Sequence, residues 1–497
     1  MKRGSLETDD GRLAIAVADP KGVRCFKGIP YAAPPVGALR WHAPAACPHW
    51  TGTRATDAFG MNAMQAPVFS DIEFATPGVS EDCLYLNVWT PAQIGSGARL
   101  PVMFWIHGGG FAAGHGAEPR YDGARLAARG ILVVTMNYRL NAFGFLAHPA
   151  LTSENSHGAS GNWGLLDLVA ALEWTRRNIT AFGGDPAAIT IAGESAGAVA
   201  VSALMASPLA KGLFTRAIGQ SGAFFDAPVR KLENQAEAER AGEAFAARLG
   251  AKTAAELRKV PAVSIVEAAP GPTFRPIVDG HVVPTHPATL ILDGQLSDVP
   301  LLAGWNKDEG FNLGLVDWPE RPYEAIVGDM FGAHAAEVLQ RYPTGDLATT
   351  AASARALGGD ARIGHAMWSW LEAQKMHGTA DIFRFRFDRA PLTPDGWFGD
   401  KPSKDAGAFH SGEIPYVFDT LDAMPWLTTD ADRKIARMAS TYWVNFVKRG
   451  NPNGPGLPVW PSHRSLDAPV LHITAAPSVQ PANDDVYAIF AEHMALR

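Results

Sequence analysis

The sequence predicts one large α/β domain with parallel strands at its centre, and three observations point there. Apolar, β-branched runs of strand length alternate with segments of helical period through the middle of the chain. No long Gly/Ser or Pro-rich linker interrupts the 497 residues. The first of the runs closes on a glycine-rich turn, as strands do where the following loop carries function.

Taken in order, "LPVMFWIHGGG" (100–110) is an apolar run ending in three glycines and "GILVVTMNYR" (130–139) is a second such run, so both read as buried parallel strands. In "WGLLDLVAALEWTRRNI" (163–179), Leu165, Leu168, Leu172 and Ile179 stand three, four and seven residues apart, the spacing of a helix packed on a sheet. The turn "FGGDP", with Gly183, Gly184 and Pro186, is expected to end that helix. "AITIAGESAGAVAVSALM" (188–205) then reads as strand, turn and helix. "LFTRAIGQSG", "DVPLLAGWNKDEG" and "DIFRFRFDR" are expected as later strands, and "DADRKIARMASTYWVNFVKRGNPNG" as an amphipathic helix stopping at Gly450.

Composition narrows the function classes. The chain is 47% hydrophobic with a formal charge of −7, enough for a large core and without a basic excess for nucleic acid or an anionic membrane. No uncharged apolar run approaches the ~18 residues of a membrane span. The opening "MKRGSLETDDGRL" turns acidic before any apolar stretch begins, so no signal peptide and a cytoplasmic location are expected. Cys25, Cys47 and Cys83 form no CxxC pair and no metal-ligand cluster; they read as free thiols, and neither metal nor cofactor is expected.

Gly193, Ser195 and Gly197 make a GxSxG pattern at the predicted strand-to-helix turn. A serine on such a turn is strained and exposed, side chains two residues to either side would collide, and glycine removes the collision. The turn also sets the hydroxyl at a helix N-terminus, where free N–H groups and the positive dipole end favour a developing oxyanion. Ser195 is therefore a candidate nucleophile, although a serine before a helix also serves as an N-cap. Upstream, "HGGGF" (107–111) can aim backbone N–H groups at a substrate oxygen.

On a nucleophile elbow of this kind the acid and the base follow the serine. Asp308 and Glu309, in a glycine-bounded loop after "VPLLAG", are both candidate acids by position. The histidines after them are His334, His365, His377, His410, His463, His472 and His493. His410 is favoured because Gly407 and Gly412 flank it, whereas His472 alternates within "VLHIT" as a packed strand residue does.

These residues resemble the type B carboxylesterases, the α/β-hydrolase family that includes bacterial para-nitrobenzyl esterases and the cholinesterases. Nine blocks in family order carry the likeness over nearly the whole chain: "FKGIPYAAPPVGALRW", "SEDCLYLNVWTP", "HGGGF", "NYRLNAFGFL", "GNWGLLDLVAALEWTRRNITAFGGDP", "GESAGA", "QSGA", "NKDEG" and "FHSGEIPYVF". The resemblance implies an α/β-hydrolase fold, a mostly parallel sheet flanked by helices, formed by residues 1–497 as one domain with pocket-forming insertions. It implies Ser195 as nucleophile, Glu309 rather than Asp308 as acid, and His410 as base. It places the oxyanion hole at the N–H groups of Gly109, Gly110 and Ala196, and sets Glu194 and Ser221 beside the triad. Arg40 with Glu81, and Arg139 with Asp167, would be structural ion pairs.

Departures from the family pattern matter too. Ala198 stands where relatives often carry a second glycine, and Met64 lies near the place where secreted members have the cysteine that pairs with the one equivalent to Cys83. The tryptophan that holds choline in cholinesterases falls on Glu73, so the likeness gives no support for choline esters. The implied activity is serine carboxylic ester hydrolysis through an acyl-enzyme, on a small to medium apolar ester, by a monomer or weak homodimer. The same machinery on an amide, carbamate or thioester is the alternative, and a non-catalytic adhesion role is the second. Loops near 61–80, 223–290 and 311–400, with Phe69, Phe74, Phe224, Phe225, Phe274, Phe311, Trp318 and Trp397, are expected to shape an apolar pocket. A histidine base near its ordinary value predicts activity that falls below about pH 6–7.

Overall fold

The runs read as strands form the middle of a ten-stranded sheet. In the computed structural model, which describes residues 4–73, 78–315, 318–465 and 467–495, its order is Ser478–Pro481, Pro469–Ile473, Ile382–Phe387, Leu301–Asn306, Arg216–Gln220, Gly184–Glu194, Leu100–Ile106, Leu132–Met136, Tyr85–Thr90 and Arg24–Pro30. The strands from Pro469–Ile473 across to Leu132–Met136 pair in parallel. Those outside them are antiparallel.

Side chains along each central strand divide between two cores, as a period of two requires. Val102, Phe104 and Ile106 enter one core together with Leu165, Leu168 and Leu172 of the Trp163–Asn178 helix. Met103 and Trp105 enter the other, against Ile435, Trp443 and Phe446 of the Asp430–Arg449 helix. Both faces are covered, which is why these strands read as continuous apolar runs and not as alternating ones.

Helix ends follow local chemistry. Thr429 caps the Asp430–Arg449 helix in a capping box with Asp432, and Gly450 closes it with a left-handed φ of 73°. The end of the 163–178 helix differs from expectation. A 3-10 turn, Ile179–Phe182, follows it directly, and Gly183 at φ 85° reverses the chain. Gly184 and Pro186 already belong to the next strand, because pairing with Leu100 claims the backbone of Gly184.

The expected ion pairs are formed. Arg139 grips buried Asp167 through Nη2 at 2.7 Å and Nε at 2.8 Å, and Arg40 holds Glu81 through Nε at 2.6 Å. Cys25, Cys47 and Cys83 are free thiols, and Met64 lines a small cleft with Cys83. Among the described residues no helix is long and apolar enough to cross a membrane.

Candidate active site

The carboxyl ends of the parallel strands deliver the chemistry, as open α/β sheets do. Ile106 runs into the glycine loop, Glu194 into Ser195, Gln220 into Ser221 and Asn306 into the loop of Glu309. Ser195 sits between the Gly184–Glu194 strand and the Ala196–Ala206 helix at φ 54°, ψ −123°, a conformation that L-residues rarely adopt. The neighbouring glycines make it possible. A Cβ on Gly197 would lie 2.0 Å from Ile106 O, and one on Gly193 would lie 2.5 Å from the carbonyl carbon of Gly197. The Ser195 N–H donates to Gln220 O at 2.8 Å and its carbonyl accepts from Val199 N at 2.9 Å, so the strained turn is held at both ends.

Ser195, His410 and Glu309 come together from segments far apart in sequence. The Ser195 hydroxyl lies 2.8 Å from His410 Nε2, and His410 Nδ1 lies 2.6 Å from Glu309 Oε2. Glu309 Oε1 accepts the Asn306 N–H at 2.8 Å. Asp308, the other candidate acid, does not reach the imidazole; it accepts the Ala408 N–H at 2.8 Å and so ties down the loop that carries His410. His472 is a buried strand residue with Nδ1 2.8 Å from Asp388 Oδ2.

Glu194 and Ser221 flank this group. Glu194 is buried with Oε1 3.4 Å from His410 Nε2, and Ser221, at φ 54°, lines the same cavity with its hydroxyl buried. Burial alone would lower the imidazole, but the charges of Glu194 and Glu309 outweigh it and push His410 up to about 10. Burial pulls Glu194 upward and the facing His410 opposes it, so the two groups hold each other charged. The expectation of an ordinary imidazole value therefore needs correcting upward, and the cause is two carboxylates in a dry site.

Gly109, Gly110 and Ala196 line the cavity beside Ser195. Gly109 has φ 101°, and a Cβ there would lie 2.1 Å from Ala113 O, so only glycine fits. Ala196 opens the helix, where its N–H has no acceptor within the helix. Behind the loop, His107 is buried, stacks on Tyr138 with centroids 4.5 Å apart, and is pushed down to about 3 by burial, which keeps it neutral.

Sequence reasoning missed two supports. The first is a buried chain: Trp443 Nε1 donates to Gln220 Oε1 at 2.8 Å, Gln220 Nε2 to Glu413 Oε1 at 2.8 Å, and Asn306 Nδ2 to both Glu413 Oε2 at 2.6 Å and Phe409 O at 2.7 Å. The second is Arg120, which pairs with Glu118 at 2.7 Å and with Asp71 at 3.1 Å, while Asp71 accepts the Ser411 hydroxyl at 3.2 Å. Gln220, Asn306 and Glu413 lie in blocks shared with the family, and that position was the one signal available.

The cavity above Ser195 holds about 490 Å³. Phe69, Ile72, Val199, Val229 and Ile363 give it the apolar wall expected, and Arg230, Arg275 and Arg362 add a charged sector that was not. Of the other expected aromatics, Phe224, Phe225, Phe274 and Phe311 are packed into the cores, Trp318 packs half-buried against one of them, and Trp397 packs on Trp426. Phe74 lies outside the described residues. Among the described residues no group of three or more His, Cys, Asp or Glu side chains is placed to hold a metal ion.

Comparison with known proteins places the chain in a family. A family model described as the carboxylesterase family matches residues 6–489. The chain is 38% identical to a fumonisin B1 esterase of Sphingopyxis macrogoltabida, over 92% of this chain and 86% of that one. It is 36% identical to a para-nitrobenzyl esterase of Bacillus subtilis, over 89% of each. A solved PNB esterase superposes with a TM-score of 0.84 at 32% identity, covering 98% of this chain and 99% of the other. A Geobacillus stearothermophilus carboxylesterase gives 0.84 at 34% identity, covering 98% and 100%. The sheet and its flanking helices are those of an α/β-hydrolase.

Proposed function

The chain belongs to the carboxylesterase family, and from that premise we propose that Ser195 is its nucleophile, His410 its base, Glu309 the acid that orients the base, and residues 1–497 one catalytic domain. The protein is a serine carboxylic ester hydrolase. The observation that carries the assignment is the continuous relay from Ser195 Oγ to His410 Nε2 at 2.8 Å and from His410 Nδ1 to Glu309 at 2.6 Å.

With Nδ1–H donating to Glu309, Nε2 is left as the acceptor for the serine proton. Oγ adds to the ester carbonyl as that proton moves to Nε2, and the carbonyl electron pair passes to oxygen. The N–H groups of Gly109, Gly110 and Ala196 receive the oxyanion, each contributing about 3–4 kcal/mol in the transition state. The tetrahedral adduct collapses, His410 returns the proton to the departing alkoxide, and the acyl group remains on Ser195. Water then repeats the sequence against the acyl-enzyme through the same base.

Glu194 and Ser221 act beside this relay, Glu194 by its charge on His410 and Ser221 by shaping the cavity wall. The location we infer is the cytoplasm. Its support is the three free thiols, with burial raising Cys25 to about 12 and Cys47 to about 11 so that neither is poised for oxidation. The direct test is labelling with a fluorophosphonate followed by peptide mass spectrometry. The reading expects a single adduct on Ser195, and an adduct elsewhere or none contradicts it.

A further inference from the structure

Three arginines, Arg230, Arg275 and Arg362, line the cavity that holds Ser195 and His410. Among the described residues none of them is in an ion pair with a carboxylate. The acid whose charge reaches Arg230 is Asp226, which is already engaged by His286 at 3.2 Å and by the Leu232 N–H at 2.7 Å. The Nε groups of Arg230 and Arg362 are buried with no hydrogen-bond partner, and Arg275 reaches Pro272 O at 3.5 Å.

Each arginine is set on a fixed stretch of backbone. Ala227 and Arg230 exchange both backbone hydrogen bonds, at 2.7 and 2.8 Å, in a tight turn. Asn141 clamps the segment before Arg275, donating to Ala269 O at 2.7 Å and Gly271 O at 2.8 Å and accepting the Phe274 N–H at 3.2 Å. Arg362 rides on a π-helical turn, Asp360–Gly364, whose first residue accepts the hydroxyls of Tyr342 and Tyr487 at 2.6 Å each. Such turns often interrupt helices at functional sites.

The acids of the cavity wall do not balance this charge. Asp71 is engaged by Arg120 and Ser411, and Glu194 faces His410 at 3.4 Å. Burial and the neighbouring cations push Arg230 down to about 10, and burial with Arg275 lowers Arg362. Like charges are thus gathered and partly desolvated in a chain whose net charge is −7. A bound anion is what relieves that arrangement, and a neutral apolar ester leaves it as it is.

We propose that the cavity takes an ester bearing a carboxylate away from the scissile bond, and that Arg230, Arg275 and Arg362 bind that carboxylate. The inference rests on Ser195 being the nucleophile. Guanidinium matches the two oxygens of a carboxylate in a paired, directional contact, which suits this ligand better than a diffuse positive field would. The carboxylate can sit on the acyl chain, as in a half-ester of a dicarboxylic acid, or on the alcohol, as in an ester of a hydroxy acid.

Two matched pairs separate these sources: mono-para-nitrophenyl adipate against para-nitrophenyl hexanoate, and 4-acetoxybenzoate against its methyl ester, each corrected for spontaneous hydrolysis. The quantity read is the anionic-to-neutral ratio of kcat/KM within one preparation, so the folded fraction cancels. The ratio is expected to exceed about ten in one pair, which identifies the carrier, and to fall at least tenfold in Arg230→Gln and Arg362→Gln. Ratios near or below one in both pairs, with the neutral esters hydrolysed, overturn the proposal and leave the ester hydrolase standing. A high ratio that both variants retain overturns the assignment to these arginines. No hydrolysis of any of the four, together with no fluorophosphonate adduct on Ser195, overturns the reading of the site itself.

Discussion

The side-chain amide of Asn306 donates to Glu413 at 2.6 Å from the end of the strand that precedes Glu309. The same amide holds Phe409 O at 2.7 Å, one residue before His410. The strand that delivers the acid and the loop that delivers the base are therefore joined directly. Burial, with Glu309 beside it, raises Glu413 above its usual range, so the group is stable only while its bonds to Asn306 and Gln220 are made.

Removing that joint should misplace the base without touching substrate. Asn306→Ala is expected to lower kcat ten- to a hundredfold, by the order of magnitude that a misplacement of about 1 Å causes, with KM changed less. Steady-state kinetics normalised to titrated active sites checks this, and unchanged kcat would show that the joint does not position His410.

The pH profile follows from two buried carboxylates. A base must be neutral, and Glu194 and Glu309 outweigh burial to raise His410 to about 10, so kcat/KM should climb from neutral into alkaline pH with its midpoint above the ordinary imidazole range. Glu194→Gln removes one raising charge, lowers the imidazole value, and should move the acid limb toward lower pH by about one unit. Profiles measured from pH 5.5 to 10.5 on both enzymes read this directly, and a limb that stays in place contradicts it.

Gly109 tests the oxyanion site. An alanine there combines φ 101° with a Cβ 2.1 Å from Ala113 O, so the loop must shift and carry its N–H away from the reacting oxygen. Gly109→Ala should lower kcat by about 10²–10³. A variant within threefold of wild type would place the donors elsewhere.

Stability has its own lever in Asp432, which completes the capping box of the 430–449 helix with Thr429 and receives Arg389 Nε at 2.6 Å and the Tyr416 hydroxyl at 2.7 Å. Burial tends to raise this carboxyl, but the bonds from Arg389, Thr429 and Tyr416 hold it down to about 2. A folded value below the unfolded one gives stability that is present above about pH 4 and lost as pH falls toward 2. Asp432→Ala should cost roughly 2–4 kcal/mol at pH 7, and the gap from wild type in urea unfolding should narrow through that window.

How much of this was legible in the sequence depended on how local each constraint is. The Ser195 elbow was readable because its glycines answer collisions among neighbours, such as the 2.5 Å approach of a Gly193 Cβ to the carbonyl carbon of Gly197. The helix at 163–178 and the central strands were readable from period and apolar run, since both faces of the sheet are buried. His410 was favoured by its flanking glycines, Gly407 and Gly412, but Glu309 was not separable by local pattern from Asp308, because the pairing of acid and base spans 101 residues and exists only in the fold; the family likeness chose Glu309. The Trp443, Gln220, Glu413 and Asn306 chain and the Arg120–Asp71 brace had no local signature, since each member is an ordinary polar residue until the fold buries it beside its partner. The arginines of the cavity come from three separate segments, and each alone reads as a solvated cation.

The most direct measurement is the hydrolysis of para-nitrophenyl esters of increasing acyl length by wild type beside Ser195→Ala. In the variant kcat is expected to fall by about a million-fold at every chain length, leaving only the residue of catalysis due to binding and the oxyanion donors. Turnover within tenfold of wild type in Ser195→Ala would contradict it, and the nucleophile would have to be sought elsewhere in the cavity.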